Sequence, residues 1–170
     1  MRKTLLKIEV ARVQIRVDET TQRRLAELTS GRKHSDALAD GVVAAVMDTR
    51  SAVITSEVRR DVPFDRYSET AYDDLRSARD SGLISDHAYW SLAHLLPDWM
   101  HVLRDRGVRK GDRFMCRMQP GSMRVVYRTN DGRTLVDRTI ANPDLGRAVL
   151  ASYLAPTSSF REELLRSLFR

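Results

Sequence analysis

The stretch that decides the fold runs from Asp112 to Ile140, DRFMCRMQPGSMRVVYRTNDGRTLVDRTI. Its period is two. Phe114, Cys116 and Met118 share one face of a first strand, and Met123, Val125 and Tyr127 share one face of a second. Such alternation sets apolar side chains on one side of a pleated sheet. Pro120-Gly121 makes the turn between them. Asn130-Asp131-Gly132 is a hairpin signal, because asparagine, aspartate and glycine tolerate positive φ. Leu135 to Ile140 completes a three-stranded meander. Cys116, pointing with Phe114 and Met118, reads as a buried structural thiol.

Working outward, the period changes from 2 to 3.6. Upstream, Asp86 is placed to cap a helix carrying Trp90, Leu92, Leu95, Leu96, Trp99 and Leu103, which Pro97 should kink or break because it has no N–H to donate. Gly107 ends it. Before that, Pro63 sits at the first turn of a long helix with Tyr67, Ala71, Leu75 and Ala78 at helical spacing, stopped by Gly82. Ala52 to Val58 is β-branched and alternating, hence a strand. Two short helices precede it, one capped by Asp18 with Leu25 and Leu28 inside and ending near Gly31, the other capped by Ser35 with Leu38, Val42, Val43 and Val46 inside. Leu5 to Val17 is a long strand whose phase slips near Ala11 and Arg12, as a β-bulge would cause. Downstream, Asn142-Pro143 opens a helix to about Leu154, and Ser159 with Glu162 reads as a capping box for a last helix. The order predicts an α+β fold, a mostly antiparallel sheet covered on one face by helices.

The 170 residues suit a single domain spanning 1–170. About two-fifths of them are hydrophobic, and no apolar run approaches the roughly 20 residues that span a bilayer. The basic start, Met1 to Lys7, lacks the uninterrupted apolar stretch of a signal peptide. One cysteine excludes a disulfide framework and fits a reducing, cytoplasmic setting. The net charge of +6 admits anionic partners. The basic residues are nearly all arginine, a skew expected of a GC-rich genome. They are dispersed and interleaved with acids, as in Arg59-Arg60-Asp61, so no nucleic-acid partner is expected.

Few residues look chemical. His87, His94 and His101 recur at intervals of seven, but seven residues rise about 10.5 Å along a helix, too far for two ligands on one ion. Gly31, Gly41 and Gly82 stand alone, so no phosphate loop is present. No metal or cofactor is expected. Asp73-Asp74 reads first as a solvated face. Tyr67 and Asp74, seven apart, lie on roughly one helix face. If that face borders a pocket, the pair supplies a hydroxyl and an acceptor. If not, Tyr67 is a core aromatic and Asp74 a surface acid.

The motifs Gly111-Asp112, Pro120-Gly121, Tyr127 and Asp131-Gly132 resemble, in order and spacing, the meander of bacterial chalcone isomerase-like proteins. Ala148 to Pro156 is similar to the family's next helix, and Phe160 to Phe169 to its last. Arg66-Tyr67-Ser68-Glu69-Thr70-Ala71-Tyr72-Asp73-Asp74 resembles the helix with the plant enzymes' "QYSEKV..EN" motif. The resemblance implies an open-faced β-sandwich. The plant enzymes close a chalcone to a flavanone with an arginine, a tyrosine, a threonine, an asparagine and a further hydroxyl. Fatty-acid-binding relatives use the same cleft for a carboxylate head and an alkyl tail.

Carried over residue by residue, Tyr67 matches the tyrosine and Asp74 stands at the asparagine. The threonine position falls near Ala11, and the late hydroxyl near Gly146. The arginine belongs to a leading strand that has no counterpart ahead of Met1, and Arg2 is its nearest substitute. A tyrosine alone leaves polarisation of the substrate largely unserved. The resemblance therefore implies a non-catalytic binder of an apolar carboxylate such as a fatty acid, with Arg2 or Arg12 facing the carboxylate and Asp74 in water at the mouth or paired with an arginine. The alternatives are an isomerase using Tyr67 and Asp74, and a structural or partner-binding domain whose cleft is closed.

Overall fold

In the computed structural model, which describes residues 10–169, five strands form one antiparallel sheet in sequence order. They are β1 (Ala11–Val17), β2 (Ala52–Val58), β3 (Arg113–Gln119), β4 (Ser122–Arg128) and β5 (Thr134–Ile140). The helices are α1 (Glu19–Thr29), α2 (Asp36–Met47), α3 (Phe64–Asp80), α4 (Asp86–Met100), α5 (Pro143–Leu154) and α6 (Arg161–Ser167), with a 3₁₀ turn at His101–Leu103 after α4. This is the α+β open sheet that the period changes predict. No helix among the described residues is long and apolar enough to cross a membrane.

Register turns alternation into a core. Ile15, Ile54, Cys116 and Val125 pair across four strands, and Val17, Ala52, Met118, Met123 and Ile140 across five. Ile54, Cys116 and Met123 are fully enclosed. Each side chain of this size contributes about 1.5–3 kcal/mol when buried. Burial pushes the Cys116 thiol up to about 12, so it stays protonated and inert. Leu145, Ala148 and Leu150 of α5 join Val42 of α2, Leu75 of α3 and Leu92 of α4 on the helical side of the core.

The turns follow their residues. Pro120-Gly121 joins β3 to β4 with Gly121 at φ 82°, the conformation that the third residue of a proline-first type II turn requires. In the Asn130-Asp131-Gly132 turn only Gly132 takes positive φ, at 87°. The Thr129 N–H donates to the Arg133 carbonyl and the Gly132 N–H to the Thr129 carbonyl.

Several local expectations need correction. The register of β1 from Ala11 to Val17 is regular, and the residues before Val10 lie outside the described ones. Ser85, not Asp86, caps α4, accepting from the Ala88 N–H. Helix α4 continues through Pro97 to Met100, forfeiting the one hydrogen bond that the proline cannot donate. Trp90 of that helix is 52% exposed, against the His94 ring. Helix α6 has no side-chain cap; Phe160 occupies that place, and the Ser158 hydroxyl accepts the Phe160 N–H.

Candidate functional site

Between the sheet and helices α3, α4 and α5 lies a cavity of about 180 Å³. Its floor is one inner row of the sheet, Phe114, Tyr127 and Val136, which register sets side by side. Leu92, Leu96 and Trp99 of α4 close another wall. Tyr67 and Asp74 both face in from α3, as seven-residue spacing on a helix dictates. Helix α5 adds Val149, Ser152 and Tyr153 at i, i+3 and i+4.

The polar groups gather on the α3–α5 side. Asp74 is buried, 8% exposed, and its Oδ1 accepts one hydrogen bond, from the Thr157 hydroxyl at 2.8 Å. Burial raises its pKa, Thr157 opposes that in part, and the neighbouring Asp73 charge adds to it. Among the described residues, no side chain partners the Tyr67 or Tyr153 hydroxyl. Burial raises the pKa of both, so both are neutral donors at neutral pH. For Tyr153 the electrostatic influence of Tyr67, Cys116 and Asp74 raises it further. The wall thus offers two free phenolic hydroxyls and one incompletely satisfied carboxyl. Among the described residues no lysine or arginine lines it.

The Tyr127 ring of the floor leads to a different cluster. The Tyr127 hydroxyl donates to Asp112 Oδ2 at 2.7 Å, and Arg106 grips the same carboxylate through Nη1 at 2.6 Å and Nη2 at 3.1 Å. The N–H groups of Arg109 and Asn130 donate to it at 2.9 and 3.0 Å. This carboxylate ties the β4–β5 turn to the segment that enters β3.

The other expected site residues lie elsewhere. Arg12 is exposed on the outward face of β1, opposite Glu57, because it alternates with the inward Ala11 and Val13. Ala11 is buried against Val58, away from the cavity lining. Gly146 meets the sheet instead: a Cβ there would stand 2.5 Å from Met118 Cγ, so the glycine permits close approach of α5. Asp74 is neither in water nor paired with an arginine. Arg2 lies outside the described residues. Tyr153 and Thr157 were not singled out in the sequence. The Val149, Ser152, Tyr153 spacing could have indicated the first; no local signal marks the second.

No family model matches the sequence, and no curated protein does. The structure is similar to the crystal structure of a fatty-acid binding protein of Arabidopsis thaliana, with a TM-score of 0.55 at 14% identity, covering 98% of this chain and 83% of that one. At this identity the likeness shows the fold, and the fold agrees with the one that the chalcone isomerase-like resemblance implies.

Proposed function

We propose that this protein binds an apolar carboxylic acid, such as a fatty acid, in the cavity between the sheet and α3, α4 and α5. The observation that carries the reading is the pair of free hydroxyls, Tyr67 and Tyr153, beside the buried Asp74 in a mostly apolar cavity. Small-molecule sites combine apolar walls with a few convergent polar groups in this way. The fatty-acid binding of the structural neighbour supports the same assignment.

The charge balance differs from what the sequence suggested. Among the described residues no cation lines the cavity, and Asp74 is already there. Two carboxylates side by side in a low-dielectric site share a proton rather than both ionise. The ligand therefore binds with one proton between its head group and Asp74, with Tyr67 and Tyr153 donating to the oxygens. At about 180 Å³ the cavity lies below the roughly 300–1,000 Å³ usual for drug-sized ligands, which favours a short chain. A longer chain has to displace a half-buried edge residue such as Phe160 or Leu96.

Catalysis of chalcone closure is not part of this reading. Among the described residues no cation lines the cavity to polarise a carbonyl, and burial keeps the Tyr67 hydroxyl protonated, neither a base nor a strong acid at neutral pH.

The test is displacement of a fluorescent fatty acid by unlabelled acids of graded length across pH. The expected result is saturable binding that strengthens as pH falls, approaching tenfold per unit where one proton is taken up. Equal affinity at all pH values would remove Asp74 from the head-group site. Failure of every chain length to bind would leave the closed-cleft reading in possession.

A further inference from the structure

The face of the sheet away from the helices carries charge that the sequence disperses and the register collects. Its outward positions are exposed or half-buried except Val126. One cross-strand row reads Arg12, Glu57, Arg113, Arg128. A parallel row reads Arg16, Val53, Arg117, Arg124. Between them runs an uncharged row, Gln14, Thr55, Met115, Val126, ending at Asp137. The face thus sets six arginines, Arg12, Arg16, Arg113, Arg117, Arg124 and Arg128, against two acids, Glu57 and Asp137.

Little of this charge is met from within. Arg124 and Asp137 form a bidentate pair at 2.8 and 2.9 Å, and Arg128 also acts on Asp137. Among the described residues Arg12, Arg16, Arg113 and Arg117 pair with no carboxylate. Arg113 stands directly opposite Arg128, and Arg117 opposite Arg124. Like charges so placed weaken strand pairing. A surface built this way is complementary to a dense array of anions.

We propose that this sheet face docks onto an anionic lipid bilayer, its arginines binding headgroup phosphates around the Met115 and Val126 row. Arginine suits phosphate because its planar fork donates two parallel hydrogen bonds. Anionic headgroups recur laterally, so two arginine rows some 13 Å apart can be filled at once. A five-stranded face is too broad for a DNA groove, which admits a helix or a two-stranded ribbon. Its outward positions carry no aromatic ring on which bases of a single strand could stack. A second copy would present the same sign of charge. Met1 to Glu9, with Arg2, Lys3 and Lys7 against Glu9, is itself basic and offers no anionic cover.

This docking is independent of what the cavity holds. The test is co-sedimentation with vesicles of phosphatidylcholine alone and of phosphatidylcholine mixed with phosphatidylglycerol. Binding is expected only to the mixed vesicles. It should fade as salt rises from about 0.1 M to about 1 M, where the screening length falls from about 10 Å to about 3 Å. Arg113→Gln with Arg117→Gln should weaken it about fivefold per arginine, with thermal unfolding unchanged or raised by relief of the opposed charges. Arg23→Gln with Arg32→Gln removes equal charge from the helical side and should leave binding within about twofold. Equal loss in both double variants would mean that net charge alone is read, and the face assignment would fall. Absence of binding to the mixed vesicles, equal binding to neutral ones, or capture of a nucleic-acid oligomer by a protein that ignores both would overturn the proposal.

Discussion

Two buried aspartates among the described residues, one in the cavity wall and one outside the cavity lining, are met in opposite ways. Asp112, wholly enclosed, accepts from both Nη atoms of Arg106, two backbone N–H groups and the Tyr127 hydroxyl. Asp74 accepts one hydroxyl. Burial alone would raise both pKa values. At Asp112 the hydrogen bonds from Arg106, Arg109, Tyr127 and Asn130 outweigh it and hold the carboxyl below the usual range. At Asp74 burial wins and the carboxyl is raised. A carboxylate with every lone pair engaged belongs to the scaffold. One left short of donors, beside two free hydroxyls, has capacity for a ligand.

The sharpest way to break this contrast is Asp112→Ala. It strands the Arg106 guanidinium and the Arg109 and Asn130 N–H groups, so we expect a loss of about 3–5 kcal/mol in denaturant unfolding. Asp112 also fixes an acid limb. Its folded pKa is depressed, so its contribution is complete above the unfolded value near 3.9 and is lost as pH falls through the folded value below that. The parent should lose stability there, and Asp112→Ala should show less of that loss. A variant within about 1 kcal/mol of the parent would refute the scaffold role.

Tyr127→Phe removes one donor and leaves the Arg106 grip intact. A hydrogen bond to a charged group contributes about 1.5–3 kcal/mol, so the loss should fall in that range and below that of Asp112→Ala. Because the Tyr127 ring still lines the floor, fatty-acid affinity should move little. If affinity falls and stability does not, the Asp112 cluster and the Asp74 wall have been assigned the wrong way round.

Tyr67→Phe tests the wall that holds Asp74. Among the described residues no side chain meets the Tyr67 hydroxyl, so stability should hold, while fatty-acid affinity falls by about 1 kcal/mol, roughly fivefold. Tyr153→Phe should behave alike. Displacement titration and thermal unfolding on the same samples separate the two effects. Unchanged affinity in both variants would leave the head group unplaced.

The contrast also marks what the sequence could tell. Period and turn residues placed the meander, β2 and α3, because those signals are local. The seven-residue spacing brought Tyr67 and Asp74 to one wall. The donor to Asp74 comes from Thr157, 83 positions away, and no local pattern marks such a pairing. Gly111-Asp112 was legible as a motif, but its role depends on Arg106 and Tyr127, brought together only by the packed hairpins. The arginines are the clearest case. Scattered along the chain, they gather only once antiparallel register lines up β1 through β4. Gly146 and Arg12 misled for the same reason: approach of α5 to Met118, and the side of the sheet that a residue faces, are properties of packing.

The smallest expected effect is the most telling one. Asp74→Asn keeps an oxygen for the Thr157 hydroxyl and removes a charge that the folded state disfavours. The raised pKa sets the sign. Stability linked to Asp74 is fully present below the unfolded value near 3.9 and is lost as pH rises through the folded value, so at neutral pH the native charge is a burden. Replacing it should stabilise, offset by the cost of burying two amide protons that need partners. The net change should lie within about 1 kcal/mol of zero in denaturant unfolding, against the several expected at Asp112. Binding should change more than folding. With no acid at position 74 to share the ligand's proton, the rise in fatty-acid affinity at low pH should flatten, and affinity at neutral pH should hold or increase. A loss of several kcal/mol on Asp74→Asn would make the cavity's polar edge part of the scaffold, as Asp112 is, and would leave the ligand's head group to Tyr67 and Tyr153 alone.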